Sequence, residues 1–357
     1  MTDADEPFGP EAAMRLAGQA DPTDRLDALD VEAEPPLFAG LEASPRPVIS
    51  TAFDALIHSS SELRRASFYI GVIVLGLGAP LAVLAWRAAT EPSALESLDF
   101  LMFLNLAMLL AIVGVLAAAI ESRAVAIALL AARLAGRPME ARDAVRRSRT
   151  VFWRLLWAVV LANLPLVLIQ TVLQERAAEA MGGESEFSIL GASLLSAVLL
   201  APLAYVQTWV VLGDVGPVQA VRRSVAVFRA RKRLGVVVAV FEFGAQFLTA
   251  FGLLAGLDLV LRLTDVAGLG SGGDMAATAV IGALMAVFVF AAGTLLFTVS
   301  AVAAAPQVVG YLAINRAAPG LERLRSSAAG FRWFPRRMLA AIVAGALVLW
   351  AGLGTAT

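Results

Sequence analysis

Cysteine is absent from the 357 residues, and histidine and lysine occur once each, at His58 and Lys232. Without a thiol there is no disulfide, no thiolate nucleophile and no cysteine-held zinc or iron–sulfur centre. One imidazole cannot build a multi-histidine metal site, and no Gly-x-Ser-x-Gly motif partners it in a hydrolytic triad. Charge is scarce as well. Only 16% of residues are charged while 59% are hydrophobic, and mean hydropathy is +0.78. Soluble domains carry about 25% charged and roughly 45–50% apolar residues, so the excess marks an integral membrane protein.

The apolar residues gather in seven runs, at 68–86, 98–120, 151–173, 187–212, 234–261, 275–312 and 338–353. A spanning helix needs roughly 17–25 such residues, which places the last run at the margin. The expected fold class is therefore all-α, a polytopic transmembrane helix bundle of six to seven spans. Glu121 and Arg123 interrupt the second run, but Ala124–Ala132 is apolar again, so that helix extends past the bilayer plane. The two charges are two residues apart and do not face each other. Residues 47–357 form the membrane domain. Residues 1–46 are rich in Asp and Glu, with scattered Pro and Gly and no sustained apolar period, and read as a disordered acidic tail. That tail lacks the basic start and apolar core of a signal peptide. It is a candidate contact for a membrane or cytoplasmic protein partner.

The basic residues set the direction. Arg87, Arg176 and Arg262 lie in one set of loops, and all other basic residues lie in the tail or the alternate loops. The positive-inside rule then puts the N-terminus in the cytoplasm and the C-terminus outside a multi-pass plasma-membrane protein.

A motif recurs in the basic loops. Ala144-Val145-Arg146-Arg147-Ser148-x-x-Val151-Phe152 returns as Ala220-Val221-Arg222-Arg223-Ser224-x-x-Val227-Phe228, each copy leading into an apolar run. Weaker versions begin at Asp54 and Leu321. In the second strong copy Val218, Val221, Val225 and Phe228 fall on one helical face; in the first, Ala141, Val145, Ser148, Phe152 and Leu155 do. This pattern predicts amphipathic helices lying in the membrane interface before the odd-numbered spans. Arg146, Arg147, Ser148, Arg222, Arg223 and Ser224 are the candidate residues for membrane lipid, anionic headgroups above all, or for a partner. The plainer alternative is that the arginines set topology and the serines are small packing residues. Nucleic-acid binding is not expected, because the arginines sit at helix ends beside apolar runs.

The repeat, with its Gly136-Arg137-Pro138 lead-in and Tyr311-Leu312-Ala313-Ile314-Asn315-Arg316 closing the sixth run, resembles the multi-helix membrane domain attached to some glycerophosphodiester phosphodiesterases. Related stand-alone bacterial membrane families are similar. The resemblance covers roughly residues 48–330 and implies a six-helix repeat-built bundle with no chemistry of its own. The phosphodiesterase domain and its paired His ligands are absent from this chain, and the seventh run is extra.

Inside the spans Glu242 stands out, with Gln246 one turn further on the same face. An acid at that depth is a functional candidate. The alternative is structural glue, a bond to Gln207, Asn163 or a basic residue near the same end. Asp258 and Arg262 are spaced to pair with each other. Pro80, Pro165, Pro202 and Pro306 fall within runs, where they kink helices. Two functions follow from these features. The first is a non-enzymatic membrane scaffold or lipid-associated component. The second is a small-solute or ion transporter using Glu242 and the kinked helices. No cofactor is expected for either.

Overall fold

The computed structural model describes residues 43–181, 186–266, 275–316, 318–322 and 333–354. All regular structure among them is helical. In chain order the helices are α1 (Pro45–His58), α2 (Ser60–Thr90), α3 (Leu98–Leu134), α4 (Ala141–Met181), α5 (Glu186–Leu199), α6 (Val206–Val211), α7 (Pro217–Ala230), α8 (Lys232–Val266), α9 (Met275–Asn315), the single turn α10 (Pro319–Glu322) and α11 (Trp333–Gly354). Six are long and apolar enough to cross a membrane, and the bent pair α5–α6 makes a seventh candidate. The chain is a multi-pass integral membrane protein.

Helix length separates two layers. α3 has 37 residues, about 55 Å at ~1.5 Å per residue, against a hydrocarbon core of about 30 Å. Its first part exposes Leu106, Leu109, Ile112 and Leu116, as suits contact with acyl chains. From Ile120 to Leu134 it is buried on almost every side, among α1, the first turns of α4, α6 and the last turns of α9. Alanine makes that basal layer possible. Ala124, Ala126, Ala128 and Ala131 on α3, with Ala301, Ala304 and Ala305 on α9, allow backbones to come close. The basal layer lies at the Arg-rich end of the bundle.

Glycine does the same work further up. A Cβ on Gly345 of α11 would collide with the Gly76 carbonyl of α2, and one on Gly293 of α9 would lie 2.9 Å from the Gly71 Cα. These contacts seat α9 and α11 against α2. The marginal seventh run is thus part of α11, a helix of 22 residues.

Several expectations need correction. The run 187–212 is not one straight helix: α5 ends at Leu199, a 3-10 turn covers Ala201–Leu203, and the two arms meet at 54°. Pro202 sits in that turn, where its missing N–H and fixed φ favour a break. Pro80, Pro165 and Pro306 instead lie inside continuous helices. The first strong repeat is not a separate interfacial helix either, since α4 runs unbroken from Ala141 through the third span. Only the second copy forms its own helix, α7, which turns into α8 at Arg231. Helix α1 begins at Pro45, within the stretch read as tail. Residues 1–42 of that tail and Arg323–Ser326 of the last repeat lie outside the described residues.

Candidate functional site

Glu242 turns inward from α8 and is held by three side chains. Its Oε1 accepts from Arg123 Nη2 of α3 at 2.6 Å and from Gln246 Nε2 at 3.5 Å, and its Oε2 accepts from Gln307 Nε2 of α9 at 2.7 Å. Arg123, 8% exposed, also donates through Nη1 to the Ser300 carbonyl at 3.2 Å. A half-buried carboxylate at this depth is stabilised by such a partner, because an unpaired charge in an apolar interior is strongly disfavoured. Of the partners anticipated for Glu242, the basic residue is the one found; Gln307 was not foreseen. The signal for Arg123 was present, since it and Glu121 are the two charges of α3 that lie away from its end turns.

Glu242, Gln246 and Gln207 stand between two cavities. The larger, of about 400 Å³, is bounded by α3, α4, α8 and α9, with Leu116, Leu155, Val159, Leu253, Leu296 and Val299 in its walls. Its charged and amide residues, Arg123, Glu242, Gln246 and Gln207, gather toward the Arg-rich end; its two hydroxyls, Thr249 and Ser300, bond carbonyls of their own helices, and its apolar walls rise toward the middle of the bundle. Leu116, Gln246 and Ala250 on its rim are exposed, so it opens sideways. The smaller chamber, of about 170 Å³, lies against the α5–α6 break and has Asn163, Ser193, Ser196 and Gln307 in its lining.

Glu121, two residues from Arg123, faces a different cluster. Its Oε1 accepts from Arg337 Nη1 of α11 at 3.1 Å, from the Tyr69 hydroxyl of α2 at 3.4 Å and from the Ser148 hydroxyl of α4 at 3.5 Å. This cluster ties α2, α3, α4 and α11 and floors a third groove of about 490 Å³, where Arg149, Phe152 and Trp153 also lie.

The six repeat residues divide. Arg146 and Arg222 are exposed. Arg147 is only 5% exposed. It donates through Nε and Nη2 to the Val211 carbonyl at 3.2 and 2.8 Å, and through Nη2 to Asp214 Oδ1 at 3.1 Å. A guanidinium there meets the carbonyl end of α6, where a cation is favoured. Asp214, at φ 51°, is the left-handed residue that turns the chain toward α7. Ser224 is fully buried and bridges the broken span: its hydroxyl donates to the Pro202 carbonyl at 2.6 Å and accepts from the Tyr205 N–H at 3.2 Å. Ser148 donates to the Val145 carbonyl at 2.7 Å. Arg223 stacks over Trp209 at 4.8 Å from the ring centroid, and Trp209 in turn meets Tyr311 edge-on at 4.9 Å. Arg147, Ser148 and Ser224 are therefore committed to the protein interior and do not face lipid. Asp258 and Arg262 pair as expected, at 2.8 Å on an exposed face.

Among the described residues no three His, Cys, Asp or Glu side chains gather as a metal site would require. Comparison with family models, characterised proteins and solved structures finds no match to this chain.

Proposed function

We propose that this integral membrane protein is a non-enzymatic, lipid-associated component that holds one amphiphile in the cavity between α3, α4, α8 and α9. The observation that carries the reading is the polarity of that cavity, hydrogen-bonding groups at one end and aliphatic walls above, with a lateral opening. This matches a molecule with a polar head and an acyl chain entering from the bilayer, and a largely apolar pocket with a few placed polar groups is the usual form of a binding site. In this reading the Arg-rich end faces the cytoplasm of a plasma-membrane protein, and Arg146 and Arg222 remain to contact anionic headgroups. Membership of the membrane-domain family attached to glycerophosphodiester phosphodiesterases belongs to the same proposal, supported by the repeat. The acidic tail is proposed as the contact for a protein partner.

The test is lipid retention by the full chain purified in mild detergent, read by native mass spectrometry. The wild type should keep about one lipid per chain, and Ala119→Phe with Ala250→Phe, which fill the cavity, should release it without loss of thermal stability. Equal retention by the filled variant would sink the reading.

The α5–α6 break beside Glu242 favours a second reading, a small-solute or ion transporter, because interrupted helices line many transport sites. Solute or proton flux into proteoliposomes that disappears with Glu242→Gln would select it.

A further inference from the structure

We propose that the head of the bound amphiphile is uncharged, carries hydroxyl groups, and sits in the small chamber beside the α5–α6 break. This rests on the amphiphile reading of the larger cavity and names the ligand class.

Gln307 is 1% exposed and lines the chamber. Its Nε2 donates to the Glu242 carboxylate at 2.7 Å. Only the nitrogen end of an amide can donate to a carboxylate, so the side chain cannot be turned round. Its Oε1 is then fixed as an acceptor, and that atom is buried with no partner. Gln207 Oε1, on the boundary of both cavities, is likewise buried and unpartnered. Burying a polar atom without a hydrogen bond is costly, and such groups in a polar cavity are ordinarily met by a ligand or by water.

Gln307 Oε1 is therefore an acceptor, and Gln207, whose amide no side-chain bond orients, can present its oxygen to the same ligand, so a ligand that meets both donates. A phosphate brings negative charge and acceptor oxygens, and would face two amide oxygens and the Glu242 carboxylate. An ammonium head donates, but it finds no uncompensated negative charge, because Arg123 already holds Glu242 at 2.6 Å. Among the described residues lining the two cavities, those are the only charged side chains. A buried unpaired charge is disfavoured whatever its sign. Hydroxyls satisfy both conditions, donating without charge. The chamber's volume of about 170 Å³ equals roughly six waters at about 30 Å³ each, room for a glycerol or a single sugar ring. The larger cavity then takes the chain, against Leu155, Val159 and Leu253.

The experiment exchanges lipids of one acyl composition onto the full-length protein in nanodiscs and ranks them by native mass spectrometry. The probes are a monohexosyl diacylglycerol, phosphatidylglycerol and phosphatidylethanolamine. One hydrogen bond to an otherwise unmet acceptor is worth roughly tenfold in affinity, so the uncharged glycolipid should exceed both phospholipids by about tenfold or more. Gln207→Leu, which removes one acceptor and leaves the Glu242 bonds intact, should erase about tenfold of that preference and keep chain-dependent retention. Phosphatidylglycerol or phosphatidylethanolamine bound as well as the glycolipid would overturn the proposal, as would a preference untouched by Gln207→Leu. Retention that is lost on Ala119→Phe yet shows no head preference would defeat this inference alone. Failure to retain any of the three lipids would defeat the cavity reading with it.

Discussion

The two strong copies of the repeat share seven identical positions and do different things. In the first copy Arg147 is buried and caps the carbonyl end of α6, while Ser148 bonds only within its own turn and to Glu121. In the second copy the matching Arg223 is half-buried on the Trp209 ring, and Ser224 is the buried bridge across the Pro202 break. Each copy thus closes a different defect of the same broken segment, one the end of α6 and the other its beginning. An identical motif does not imply an identical environment. It supplies an arginine fork and a small hydroxyl at fixed spacing, and whichever unmet carbonyl lies opposite decides which of the two is used. The first residue of each Arg pair is exposed in both copies, so only the second has been drawn inward.

The largest effect should come from separating the two arginines. Arg147→Ala takes both guanidinium bonds from the Val211 carbonyl and one of two arginines from Asp214, which keeps Arg154 at 3.1 Å, and losing these charge-assisted bonds costs about 3 kcal/mol. Thermal unfolding in detergent should fall by several degrees, and Arg147→Lys should recover only part, since an ammonium lacks the fork that reaches both acceptors. Next come the serines. Ser224→Ala strands a carbonyl and an N–H at the break, a loss of about 2 kcal/mol. Ser148→Ala gives up a bond within its own turn and a long one, 3.5 Å, to Glu121, which keeps Arg337 and Tyr69, and should lose no more than about 1 kcal/mol. Equal losses at the two serines would show that the copies are equivalent after all.

Arg223→Ala should be milder than Arg147→Ala, at about 1 kcal/mol for a partly exposed stack on an indole, with a change in Trp fluorescence to mark the site. The smallest effect belongs to the exposed pair. Arg146→Lys with Arg222→Lys should leave topology and melting unchanged, because lysine obeys the same charge rule. A modest fall in anionic-lipid retention would show that these two guanidiniums read phosphate groups, and equal retention would leave them as topology determinants. The charge rule itself is checked by fusion reporters: one placed before Phe68 should be active only inside the cell, and one after Thr357 only outside.

Much of this molecule was legible from local pattern alone. Run length and hydropathy are properties of contiguous residues, so the all-α class, the extension of α3 beyond Ile120 and the positions of the long helices could be read from the chain. The i,i+4 pair Asp258–Arg262 is equally local, being set by helix geometry alone. Depth within an apolar run likewise marked Glu242 as a residue that needs a partner. The sequence cannot say which groups meet across helices, because a transmembrane helix offers several faces with similar composition and packing chooses among them. Tertiary structure therefore decided that Arg123 and Gln307, separated from Glu242 by 119 and 65 positions, complete its cluster. It decided that Glu121 belongs with Arg337 rather than with Arg123. It also decided that Pro202 breaks its helix while Pro80, Pro165 and Pro306 do not. At the break, Ser224 supplies the hydrogen bonds for the freed backbone groups, and buried backbone groups persist in an apolar interior only where such a partner is at hand.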